Sequence, residues 1–184
     1  MLSGRRLDLI NPSPFDIEIE DIAHGLAFQA RWNGQTLGKY VFSVANHSVL
    51  VEEIFRAENP NLDKKWYLIA LLHDSPEYVI GDMISPVKRF MGKDYANLEK
   101  NLLDTIHIRF GLPTEIPVEI QKKIKNADKK AAWIEATKIA GFNKDEANKI
   151  FIKPNLSLIN LKKIILQNPL KSKEEFLNVY KDLC

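Results

Sequence analysis

Two imidazoles and a short run of carboxylates are the residues of this chain best suited to chemistry. His73 and Asp74 are adjacent at the end of the apolar stretch Ala70-Leu71-Leu72, and Glu77, Asp82 and Lys88 follow at short offsets. An ionised group carried out of water costs several kcal/mol unless it is paired or holds a metal. Three acids and an imidazole beside an apolar helical run therefore read as half of a metal site. His47 sits in a second apolar pattern, three residues after Val44. Asp128 sits in a third, among Ile120, Ile124, Ala127, Ala131 and Ile134. Two imidazoles with two carboxylates suit one divalent ion that accepts nitrogen and oxygen ligands: Mn, Co, Fe, Ni or Mg, with Zn admitted. No cysteine ligand is expected, because the only cysteine is the last residue, Cys184. Four protein ligands leave positions for water and a substrate oxygen, the arrangement of metal-assisted hydrolysis. Glu77 would then move a proton to or from that water or the leaving group. Cationic Arg31 and Lys88 suit an anionic substrate such as a phosphate.

The elements that must bring these residues together are helices. Asn11-Pro12-Ser13-Pro14 fixes φ and removes donors, so residues 1–15 are expected to form an extended arm ahead of a single domain over 16–184. Asp16 is the expected cap of a first helix, with Ile19, Ile22, Ala23, Leu26, Ala27 and Ala30 on its buried side and Arg31-Trp32 at its end. His24, Ala27, Phe28 and Arg31 share a stripe of it, which lets Arg31 lean toward an interior site. Residues 33–38 read as a loop and 39–42 as a short strand. Ser43 caps a second helix over 44–57, whose face of Val44, Leu50, Val51 and Ile54 carries His47. Asn59-Pro60-Asn61 breaks the chain, and Asp63 caps a helix that places Trp66, Ile69, Ala70, His73 and Glu77 on one face, kinked or restarted at Pro76.

Gly81 then turns the chain, and Ser85-Pro86 opens a short segment with Lys88 in its first turn. An amphipathic helix over 94–110 ends at Gly111 and Pro113, with His107 assigned no chemistry. The next helix, 117–140, begins at a proline and is closed by Gly141. It carries Asp128, with Glu135 one heptad further on, and Lys122, Lys123, Lys125, Lys129 and Lys130 on solvated faces. Helices over 145–151 and 156–166 follow, and Ser172 to Glu175 reads as a capping box for a last one to about 182. The expected fold is all-α, with about seven or more helices.

Composition sets the outer limits. A chain of 184 residues is expected to form one domain that buries roughly 70 % of its unfolded surface. Apolar residues at 45 % and charged residues at 27 % exclude disordered and fibrous classes. The net charge is only +2, but residues 1–118 hold 12 basic against 16 acidic side chains and residues 119–184 hold 14 against 8. No aromatic residue interleaves the C-terminal lysines, so they read as helix faces and nucleic-acid binding is not expected. A single cysteine excludes an intrachain disulfide and fits a reducing compartment. With no signal-peptide pattern and no apolar run near the ~20 residues a bilayer needs, a soluble cytoplasmic protein without membrane contact is expected.

The ordered set His47, His73-Asp74 and Asp128 resembles the signature of the HD-domain metal-dependent phosphohydrolases. HDSPEYVIGDMISPVK is similar to the corresponding segment of the bacterial 5′-deoxynucleotidases of that superfamily. NADKKAAWIEA around Asp128 resembles their closing helix, and Arg31-Trp32 ahead of His47 resembles their substrate-side Arg-Trp pair. The resemblance covers roughly residues 20–140. It implies an all-α HD-domain bundle that dimerises and holds one divalent metal ion through His47, His73, Asp74 and Asp128. It further implies Arg31 as phosphate contact, Trp32 as a wall against base or sugar, Glu77 as proton-transfer group and Asp82 acting on the water or a sugar hydroxyl. The implied reaction is hydrolysis of a deoxyribonucleoside 5′-monophosphate to nucleoside and phosphate. The alternatives are a deoxynucleoside triphosphate hydrolase and a catalytically silent HD nucleotide-binding protein. The loop between Arg31 and His47, the Asn-Pro-Ser-Pro arm and the lysine-rich tail depart from the family's pattern.

Overall fold

Ser43 sets the start of the helix on which the rest of the molecule packs. In the computed structural model, which describes residues 1–155, 157 and 166–184, its hydroxyl accepts from Asn46 N (3.2 Å) and opens α2 (Val44–Glu58). Eleven of the fifteen residues of α2 are buried. α1 (Ile19–Phe28), α3 (Lys64–Leu71), α6 (Val118–Lys138) and α8 (Pro169–Leu183) surround it. Among the described residues the remaining helices are α4 (Glu77–Ile80), α5 (Ser85–Arg109) and α7 (Lys144–Ile150), and there is no strand. The all-α expectation holds, and no helix among the described residues is long and apolar enough to cross a membrane. Phe42, Phe55, Trp133 and Phe176 are the largest side chains wholly removed from water. Each contributes on the order of 1.5–3 kcal/mol by area.

Several boundaries differ from those read off the sequence. Asp16 does not cap α1. It closes a 3-10 turn, Pro14–Asp16, whose cap is Ser13, and α1 begins two residues later after Glu18. The preceding residues lie against α1 through Ser3, hydrogen-bonded to Asp21, and Arg5, paired with Glu18. α1 stops at Phe28, so Arg31 is not on its stripe. Arg31 N donates instead to Phe42 O (2.8 Å) in a single bridge between the chain at 30 and at 43, which replaces the strand expected over 39–42.

The helix carrying the central stretch ends at Leu71, and His73 and Asp74 follow it in a tight turn where Ser75 Oγ donates to Leu72 O (2.6 Å). The expected restart at Pro76 is α4. The segments expected at 85 and at 94–110 are the two halves of α5, broken at Gly92 (φ +72°). Ser172 is not a cap either: Asn168 and Pro169 start α8, and Ser172 lies buried inside it, donating to Asn46 Oδ1 (2.8 Å). Lys130 is not simply solvated, for its ammonium reaches Glu58 at 2.6 Å. The helix expected over 156–166 lies outside the described residues.

One close approach fixes the turn that carries Glu77. A Cβ on Gly25 of α1 would stand 2.7 Å from the backbone oxygen of Tyr78. Only glycine lets α4 lie this near α1.

Candidate metal centre

Four side chains from three separate elements meet beside the buried face of α2. His47 is on α2, His73 and Asp74 are on the turn after α3, and Asp128 is on α6. His47 Nε2 lies 3.3 Å from Asp128 Oδ1 and 3.5 Å from Asp74 Oδ2, and His73 Nε2 lies 3.2 Å from that same Asp74 oxygen. Donor atoms of His47, His73 and Asp128 all fall within 4.8 Å of one another. Bonds of about 2.1 Å at angles of about 90–110° put neighbouring ligand atoms about 3.0–3.4 Å apart, so these separations match a single small divalent cation. The four residues singled out in the sequence are thus brought together. The helix expected to carry His73 and Glu77 on one face ends at Leu71, and a turn delivers His73 and Asp74.

The opposite ring nitrogens decide what the facing ones can do. His73 Nδ1 donates to Ala70 O (2.9 Å) and His47 Nδ1 donates to Glu135 Oε1 (2.6 Å). A neutral imidazole with its proton on Nδ1 presents a lone pair at Nε2. Both Nε2 atoms are buried and have no hydrogen-bond partner. Burial and Arg31 work against charge on His47, but Glu135, Asp128 and Asp74 outweigh them and raise its pKa well above the usual imidazole range. A divalent ion would take the place of that proton between the Nε2 atoms and the two carboxylates, and the residues present fit one. Asp128 and Asp74 keep 35 % and 23 % of their side chains exposed, so the cluster opens to solvent on their side. Burial acts to lift both carboxyls. The imidazoles outweigh it and hold Asp74 well below, and Asp128 below, the usual carboxylate range.

Glu135 is the residue that sequence reasoning passed over. Its side chain is 0 % exposed, and its two oxygens accept three donors. Oε1 takes His47 Nδ1, and Oε2 takes Arg31 Nε (3.1 Å) and Trp32 Nε1 (2.9 Å). Burial raises its pKa, but Arg31 and then His47 overcome that and hold it at about 2. Burial likewise works against the Arg31 charge, and Glu135, followed by Asp74, Asp82 and Asp128, keeps the guanidinium protonated. Trp32 and Asn33 both adopt positive φ (57° and 51°), a conformation that costs non-glycine residues about 1–2 kcal/mol each. The bond from the indole to Glu135, and ring contacts with Phe142 and Phe151, hold Trp32 there. A signal was present: Glu135 falls one heptad after Asp128 on the apolar stripe of α6.

Glu77, the first residue of α4, is buried, and its Oε2 makes no hydrogen bond. Burial, with the nearby Asp74 and Asp82 charges, pushes its carboxyl up to about 8 against the pull of Lys88. A group tuned this way can hold or release a proton near neutrality. Lys88 Nζ lies 3.1 Å from Glu77 Oε1. Asp82, which follows Gly81, faces Arg31 Nη1 at 3.9 Å, and burial raises its pKa as well. His107, distant from this group, donates to Pro113 O (3.1 Å) and closes the end of α5.

No family model matches the chain. An uncharacterized protein of Rhodobacter capsulatus is 57 % identical over 169 residues, spanning 92 % of this chain and 86 % of that one. The chain belongs to that protein's family. A relative described as uncharacterized brings no activity with it, so the function of this family member is argued from the side chains at the centre.

Proposed function

We propose that this protein is a metal-dependent phosphohydrolase of the HD type that releases phosphate from deoxyribonucleoside 5′-monophosphates. The observation that carries the reading is the convergence of His47, His73 and Asp128 donor atoms within 4.8 Å of one another, with Asp74 against both rings and the buried Glu77 three residues after it. His47, His73, Asp74 and Asp128 would hold one divalent ion, which when bound supplies Lewis acidity and lowers the pKa of water. In the hydrolysis, a water oxygen forms a bond to phosphorus as the bond from phosphorus to the 5′ oxygen breaks. One proton leaves the water and one reaches the sugar oxygen. Glu77 is placed to carry one of these transfers through its unpartnered Oε2. Arg31 offers Nη1, which stands 3.8 Å from Asp74 and 3.9 Å from Asp82, to a phosphate oxygen. Trp32, fixed through its indole nitrogen, offers a rigid face to the nucleoside.

The test is product release from a panel of mono- and triphosphates, each with ribose and deoxyribose, after chelation and after adding back Mn or Co. Inorganic phosphate from deoxynucleoside monophosphates, abolished by chelator, is the expected result. Release of tripolyphosphate from triphosphates would move the substrate to the longer phosphate chain. Nucleotide binding with no product under any metal would leave a silent binder and overturn the hydrolase reading.

A further inference from the structure

The partners of Lys88 do not suit an anion contact. Its ammonium lies between two carboxylates, 3.1 Å from Glu77 Oε1 and 2.7 Å from Glu99 Oε1. It also stands 5.9 Å from the centre of the Tyr95 ring, itself buried. Tyr95 and Glu99 are one helical turn apart in the half of α5 after Gly92, whereas Lys88 comes from the half before it. The lysine thus reaches across the break and is held on its far side by an acid and an aromatic face. With its N–H donors already given to Glu77 and Glu99, the ammonium would have to release a carboxyl group before it could bind a phosphate dianion. Arg31 is different, since its Nη1 approaches carboxylates no closer than 3.8 Å.

We propose that Lys88 and Glu99 are positioning residues for Glu77: Glu99 anchors the Lys88 ammonium, and that ammonium holds one oxygen of Glu77 so that the other stays free for proton transfer. This inference rests on the hydrolase reading above and reassigns Lys88, whose charge had suggested a substrate contact. Glu77 Oε1 is taken by Lys88, and Oε2 is buried without a partner, so the carboxyl has one defined working oxygen. Without the clamp the carboxyl is free to rotate about its terminal torsion, and the fraction of time Oε2 faces the reacting water falls. Glu99 is joined to the site by its ion pair with Lys88 and acts through it.

The experiment is steady-state kinetics on a deoxynucleoside monophosphate for the full-length wild type, Lys88→Met, Lys88→Arg, Glu99→Gln and the double variant Lys88→Met/Glu99→Gln. A thermal-unfolding cycle on the same proteins accompanies it. Lys88→Met is expected to lower kcat about 10- to 100-fold, and Glu99→Gln about 3- to 10-fold, with KM changed less than about twofold. The double variant is expected to be no slower than Lys88→Met alone, and Lys88→Arg to recover part of kcat. A raised KM with kcat intact in Lys88→Met would make the lysine a phosphate contact and overturn the proposal. So would a Glu99→Gln effect that multiplies that of Lys88→Met. If the wild type itself turns over no nucleotide, the hydrolase reading fails and the unfolding cycle decides the clamp. A Glu99→Gln shift in Tm that vanishes in the Lys88→Met background supports it, and additive shifts overturn it.

Discussion

Behind the imidazole of His47 the centre is backed by a contact that water does not reach, whereas along α4 and α5 it is walled by an ion pair that water does reach. His47 and Glu135 are wholly buried, and each ring nitrogen facing away from the cluster is tied to a protein acceptor. On the other wall, no residue from Met83 to Asp94 is buried, Phe90 is 92 % exposed, and Lys88 is the tie to the body through Glu77. A metal site gains from ligands that cannot move, because preorganisation replaces the cost of ordering them on binding. The proton-transfer group on the other wall is held at one oxygen by a partly exposed ion pair, which leaves its second oxygen without a partner. The first wall should therefore govern metal affinity and the second turnover.

The largest effect expected is on the first wall. His73→Ala should abolish binding of Mn or Co by calorimetry and with it all phosphate release. Retained stoichiometric binding would mean that the donors lie elsewhere. On the second wall, Glu77→Gln should leave the metal bound while kcat falls about 10²–10⁴-fold. Near-normal rates would show that another group carries the proton. Glu135→Gln, which alters the acceptor of His47 Nδ1 as well as that of Arg31 and Trp32, should weaken the metal about 10–100-fold in competition with a chelating dye. An unchanged affinity would make Glu135 a purely structural acid.

A smaller effect separates the walls by pH in the metal-free protein. Glu77 ordinarily titrates near 4.5 and is pushed to about 8 by burial and by Asp74 and Asp82. Between those values the folded chain keeps a proton that the unfolded chain gives up. Its stabilising contribution is complete below about 4.5 and is lost as pH climbs through 8. Glutamine cannot make that loss, so Glu77→Gln should gain on wild type by several degrees in Tm between pH 5 and 9, roughly 1–2 kcal/mol. Parallel pH profiles for the two proteins would contradict the shift. The smallest change expected is from Lys130→Met, which removes a partly exposed pair with Glu58 and should cost no more than about 1 kcal/mol in urea unfolding.

Legibility differed between the walls for a physical reason. Ser43 ahead of the α2 pattern is a local signal that tertiary packing had no cause to override, and it caps α2 as expected, while Asp128 on the apolar stripe of α6 comes to lie beside His47. His73 and Asp74 were found by type but misplaced on a helix. The apolar run continues through Leu72, while the helix ends at Leu71 and Ser75 and Pro76 close the turn. Arg31 was assigned to α1 because periodicity cannot register the bridge to Phe42 that pulls the chain out of helix at 29. The start of α8 was missed by preferring Ser172 over Asn168-Pro169, although a proline at the first position is the stronger signal. Glu135 and Glu99 acquire their roles from partners 88 and 11 residues away, and the local pattern, though it sets Glu135 on the apolar stripe of α6, does not name those partners.

The central claim is that His47, His73, Asp74 and Asp128 share one cation. Titration of the metal-free protein with Co(II), followed by its visible absorption, tests this directly. One equivalent per chain is predicted, with a spectrum that disappears in both His47→Ala and His73→Ala. Failure to bind cobalt, or a spectrum indifferent to both substitutions, would contradict the account.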